Sequence, residues 1–93
     1  MRDDEFEWDD RKAARNRAQH DVSFETARLA FNDPFCVLRD DMREDYGEER
    51  YSLLGTANGC LLHVSSTLRG ARTRIIQPEA EPYEHRLYHE GIR

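Results

Sequence analysis

The sequence predicts an α+β fold in which two N-terminal helices and a C-terminal helix pack on a small antiparallel β-sheet. Three observations carry that expectation. Residues 9–31 hold two capped stretches rich in alanine and arginine, residues 35–76 are short apolar runs punctuated by Asn58-Gly59 and Gly70, and Pro78 and Pro82 precede a last periodic stretch. At 93 residues the chain has material for one modest core, so residues 1–93 are read as a single domain.

Phe6-Glu7-Trp8 alternates in character and reads as a short strand. Asp9 or Asp10 then caps a helix running to about Gln19, whose weak apolar face is Ala13, Ala14 and Ala18. Ser23 caps a second helix from Phe24 to about Phe31, with Val22 and Ala27 at the positions of a hydrophobic staple. Asn32-Asp33-Pro34 ends it, because proline cannot continue the hydrogen-bond ladder. A meander follows: Phe35 to Leu38, a charged loop from Asp40 to Glu48, Tyr51 to Leu54, a turn at Thr56 to Gly59, and Leu61 to Ser65. A second turn near Arg69-Gly70 brings in Thr73 to Ile76 as the last strand. Pro78 and Pro82 bracket a polar link to a helix at about Tyr83 to Glu90.

Charged residues make up 35% of the chain and the hydrophobic set 38%, which points to a heavily ionic surface around a small buried set. No apolar run reaches the roughly 20 residues of a membrane span, and the acidic start from Met1 to Glu5 is the opposite of a secretory leader, so a cytoplasmic protein is expected. Cys36 and Cys60 lack metal-type spacing and are expected to serve as packing residues. The net charge of −5 argues against an overall affinity for nucleic acid. Its distribution argues the other way, because residues 51–76 contain Arg69, Arg72 and Arg74 and no acid, which leaves room for a local cationic patch. Lys12 is the only lysine among the fourteen cations.

An ordered set of motifs spans most of the chain: Phe6-Glu7-Trp8-Asp9, then Lys12, Asn16 and His20, then Val22-Ser23-Phe24-Glu25 with Ala27, then Phe31 with Asp33-Pro34, then Glu49-Arg50, Leu54-Gly55 and Arg74-Ile75-Ile76. In this order the chain resembles the BrnT family of type II toxins. The resemblance implies a compact fold similar to RelE-type ribonucleases, RNA cleavage without a metal or other cofactor, inhibition by a BrnA-type ribbon-helix-helix antitoxin, and repression of the shared operon through that antitoxin's contact with operator DNA. Glu84 and Tyr88 resemble late residues of the family. Two stretches depart from it: Gln19-His20-Asp21 stands where the family has Lys-His-Gly, and Gln77 to Pro82 is acidic where the family stays basic.

Metal-free RNA cleavage uses the neighbouring 2′-hydroxyl as nucleophile, so the protein must supply a base, an acid and cations for the crowded phosphorane. His20 is the leading acid–base candidate, since an imidazole titrates near neutrality and this one matches the family's histidine; its competing role is a helix-end cap. Glu49 and Arg50 are expected to set a carboxylate and a guanidinium at the sheet edge, or else to form a structural ion pair. Arg72 and Arg74 share one strand face by the period-two rule and form the strongest phosphate site, against the plainer reading of a solvated face. His63, Lys12 and Tyr88 are further candidates for RNA contact. Trp8, Phe6, Phe24 and Phe31 are assigned to the core rather than to base stacking. His85 and His89 stand four apart without a third ligand at motif spacing, so no metal site is assigned.

Two functions are therefore in competition. One is an endoribonuclease toxin neutralised by its antitoxin. The other, motivated by the acidic Glu79 to Glu81 tract, is a catalytically weak module that binds the antitoxin and serves as co-repressor.

Overall fold

The structure is a computed structural model that describes residues 1–40 and 49–80. The elements are β1 (Phe6–Glu7), α1 (Asp10–His20), α2 (Phe24–Ala30), β2 (Val37–Asp40), β3 (Tyr51–Ala57), β4 (Cys60–Arg69) and β5 (Arg72–Ala80). The five strands form one sheet in the order β1-β5-β4-β3-β2. β1 runs parallel to β5, and the remaining pairs are antiparallel.

Three helices on a small antiparallel sheet do not fit this architecture. Among the described residues there are two short helices, and strand dominates in a five-stranded mixed sheet. The helix expected at 83–90 lies outside the described residues. The physical reason is strand length: β4 runs for ten residues and β5 for nine, because polar positions such as Ser65, Thr67 and Gln77 keep the alternation going where apolar content alone suggested an end.

β5 even passes through Pro78, which the sequence placed in a polar link. A residue's N–H and C=O leave a strand on the same side, and the Pro78 carbonyl accepts from Asn16 Nδ2 at 3.0 Å. The N–H that proline lacks would therefore point toward α1, away from β4, and no ladder bond is lost. β1 pairs with β5 only at Thr73 and Arg74, so α1 lies along the stretch of β5 edge that β1 leaves open. Asn16 also donates to Val22 O at 3.1 Å, and it is the buried residue of α1. Ala14 and Ala18 are exposed, which corrects the expected alanine face.

Asp9 caps α1 by accepting from the Arg11 and Lys12 amides, and Asp21 closes it in the left-handed region. Ser23 caps α2 by accepting from Thr26 N at 3.0 Å. The end of α2 lies directly on Gly55, where an added Cβ would come within 2.6 Å of the Ala30 carbonyl. Asp33 is buried and ties this junction to β3, accepting from Phe35 N, Thr56 N and Thr56 Oγ1. At the β3–β4 hairpin, Asn58 and Gly59 both have positive φ, which fits a two-residue turn matched to strand twist.

The main core fills the helix side of the sheet, where Phe24, Trp8, Phe6, Ala27, Ala30 and Val64 meet. Trp8 and Phe24 pack edge to face at 5.7 Å, as do Phe6 and Phe31 at 5.3 Å, so the aromatic residues are core residues. A smaller cluster of Leu54, Leu61 and Val37 lies on the opposite face. Cys36 packs against the main core, and burial first, then the charge of Asp33, pushes its thiol up. Cys60 is exposed rather than packed, because it opens β4 beside the turn. No helix among the described residues is long and apolar enough to cross a membrane.

Candidate phosphate-binding face

Alternation along the strands divides the sheet into two faces, with one register shift between β4 and β5, where Ser66 pairs with Ile75 and Ser65 with Gln77. Leu53, Leu62, Val64 and Ile75 point toward the helices, so Leu54, His63, Ser65, Thr67 and Arg74 point the other way. The register sets Arg74 beside Thr67 on β4 and beside Glu7 on β1. Continuing the pairing of Tyr51 with Ser66 one step places Arg50 next to Thr67 on the other flank. Thr67 is buried and its hydroxyl donates to the Glu49 carbonyl at 2.6 Å, which anchors the chain entering β3 and with it the Arg50 backbone.

Arg74 donates through Nη1 to Glu7 Oε2 at 2.7 Å. Arg72, two residues earlier on the same face, donates through Nε to the Asp3 carbonyl. Lys12 joins these strand residues from the first turn of α1. Burial first, then the positive charges of Arg50, Arg74 and Arg15, hold its ammonium below the usual lysine range, with Asp9 opposing. Asp9 itself is held low chiefly by the Lys12 and Arg11 amides, and Arg74 and Arg15 add to that. Lys12, Arg15, Arg50 and Arg74 thus form one electrostatic group, and Glu7 and Asp9 are acids at its edge.

The sequence candidates divide accordingly. Lys12, Arg50 and Arg74 come together, and Arg72 continues their face. His20 sits at the far end of α1, eight residues from Lys12, or about 12 Å of helix rise. It lines a separate cavity of about 350 Å³ with Arg17, Thr26, Asn58 and Cys60. The Glu49 carboxylate accepts from the Tyr51 hydroxyl at 2.9 Å, and that bond raises the Tyr51 pKa. Tyr51 lies on the helix side by alternation, so Glu49 and Arg50 diverge. His63 shares the outer face but is buried four residues along β4 from Thr67, about 13 Å away, with Nδ1 3.9 Å from Glu79 Oε1. Tyr88 lies outside the described residues.

Glu7, Arg15 and Thr67 were not singled out from sequence. For Glu7 a signal existed, since a carboxylate between two buried aromatics on a strand must face away from the core. Its pairing with Arg74 spans 67 residues and had no local signal.

Residues 8–77 match the family described as the ribonuclease toxin, BrnT, of type II toxin–antitoxin systems. The chain belongs to the BrnT family. The matched region runs from Trp8 into β5 and contains Lys12, Arg15, Arg50 and Arg74, the four members of the cationic group. Membership in a BrnT toxin family of a type II system carries with it an antitoxin as partner. No curated protein matches the chain closely enough to stand as a relative.

Proposed function

We propose that the protein is a metal-independent endoribonuclease toxin that binds the RNA backbone on the outer sheet face at Lys12, Arg50 and Arg74. Arg72 extends that contact by one phosphate. A BrnA-type ribbon-helix-helix antitoxin neutralises it in the cytoplasm by covering this face and carries the complex to operator DNA. Growth inhibition follows when the antitoxin is absent.

The observation that supports this reading is the convergence of Lys12, Arg15, Arg50 and Arg74 on an acidic molecule. Guanidiniums offer forked donors suited to phosphate oxygens, and two of them flank the buried Thr67. The test is cleavage of a synthetic RNA in excess chelator. Wild-type protein is expected to cleave, and Arg74→Ala to lower the rate by about 10²–10³, the usual cost of losing one transition-state cation. A wild type that cleaves nothing in chelator contradicts the proposal.

One observation favours the second reading, a co-repressor module with weak catalysis. Glu79 adds an acid to the same outer face, beside His63, which lowers the attraction of that face for a polyanion. Growth arrest on expression without antitoxin, abolished by Arg74→Ala, rejects that alternative.

A further inference from the structure

Within the cationic group the four side chains are not chemically equivalent. Arg15, Arg50 and Arg74 carry guanidiniums that do not give up a proton in the working range of a protein, whereas the ammonium of Lys12 can. The imidazoles of the described residues stand elsewhere: His20 is at the opposite end of α1, and His63 is about 13 Å along β4 from Thr67. On the basic side, Glu7 is a half-buried carboxylate fixed on Arg74, and it projects from the outer face between the inward-facing Phe6 and Trp8. Asp9, the other acid nearby, is occupied as the cap of α1.

We infer that Lys12 is the general acid of RNA cleavage at this face and that Glu7, held on Arg74, is the general base. The inference rests on the ribonuclease reading and assigns its proton transfers. Glu7 takes the proton of the 2′-hydroxyl as its oxygen forms a bond to phosphorus. The bond from phosphorus to the 5′-oxygen breaks, and that oxygen takes a proton from the Lys12 ammonium. The products are a 2′,3′-cyclic phosphate and a free 5′-hydroxyl, and water returns the proton from Glu7 to Lys12. Arg50 and Arg74 bear the phosphorane charge. Partial burial first, then the charges of Arg50, Arg74 and Arg15, ease loss of the Lys12 proton, which suits a donor.

The test compares wild type, Lys12→Arg and Glu7→Gln in chelator on two substrates. One is an RNA dinucleotide; the other is a nucleoside 3′-(4-nitrophenyl phosphate), whose leaving group needs no proton. Lys12→Arg keeps the charge, so affinity for a 2′-deoxy analogue is expected to stay within about threefold, while dinucleotide cleavage falls about 10²–10⁴-fold. The activated substrate is expected to be cleaved by Lys12→Arg at close to the wild-type rate, which also shows that the variant is folded. Glu7→Gln is expected to be slow on both substrates, and Lys12→Arg to lose the alkaline limb of the pH–rate profile. Dinucleotide cleavage by Lys12→Arg within a few-fold of wild type overturns the inference while leaving the ribonuclease reading intact. Equal loss on both substrates overturns it as well, and a wild type that cleaves neither removes both readings.

Discussion

Asn16 connects three parts of the molecule through one amide group: it sits on α1, reaches the Val22 carbonyl before α2, and holds the Pro78 carbonyl on β5. Asn16→Ala leaves both carbonyls buried without this donor, and the expected loss is about 1–3 kcal/mol, read as a lower urea midpoint at unchanged slope. A change below about 0.5 kcal/mol would show that water replaces the amide without cost. The residue scale is also where sequence reasoning was most uneven. Arg74 and Lys12 were legible as candidates because each matched a motif. His20 matched equally well and lies at the other end of α1, since a motif position says nothing about which end of a helix meets the sheet's cationic face.

At the scale of elements, the junction of α2 with β3 leaves no room for a side chain at Gly55. Gly55 permits the Ala30 carbonyl to lie on the sheet, and Asp33 locks the following loop to Thr56. Gly55→Ala would bring carbon against a backbone oxygen that cannot swing aside, and the expected destabilisation is about 1–3 kcal/mol or more, measured by thermal or urea unfolding. Both helices were legible from Asp9 and Ser23, and the first hairpin from Asn58-Gly59, because caps and turns are decided locally. The extents of β4 and β5 were not. Strands continue through polar residues when neighbours complete the ladder, and the tolerance of Pro78 depends on α1 lying along that edge.

For the whole molecule, acid is predicted to weaken the fold in a defined window. The Asp3 carboxyl is held below its usual range chiefly by the Phe6 and Glu5 amides, with Arg28 adding, and Asp9 by the Lys12 and Arg11 amides. Carboxyls with depressed pKa values in the folded state stabilise it fully above their unfolded values of about 4, and that contribution disappears as the pH falls through the folded values. The urea midpoint is therefore expected to drop between about pH 4 and pH 2, and Asp3→Asn with Asp9→Asn to flatten that drop. Asp3 holds the N-terminal segment to Arg28 and Arg72, and Asp9 caps α1 just after the strand that carries Glu7 to Arg74. The resemblance of ordered motifs made the family legible. The face that gathers Lys12, Arg50 and Arg74 was not, because it is assembled from β3, β5 and a helix far apart in sequence.

The claim that RNA is cleaved on this face, and not at the cavity beside His20, is tested most directly by the steady-state cleavage rate in chelator of Arg50→Ala and His20→Ala, measured together. Arg50→Ala is expected to fall about 10²–10³-fold and His20→Ala to stay within about threefold of wild type. The reverse order, with His20→Ala inactive and Arg50→Ala unimpaired, would contradict the account.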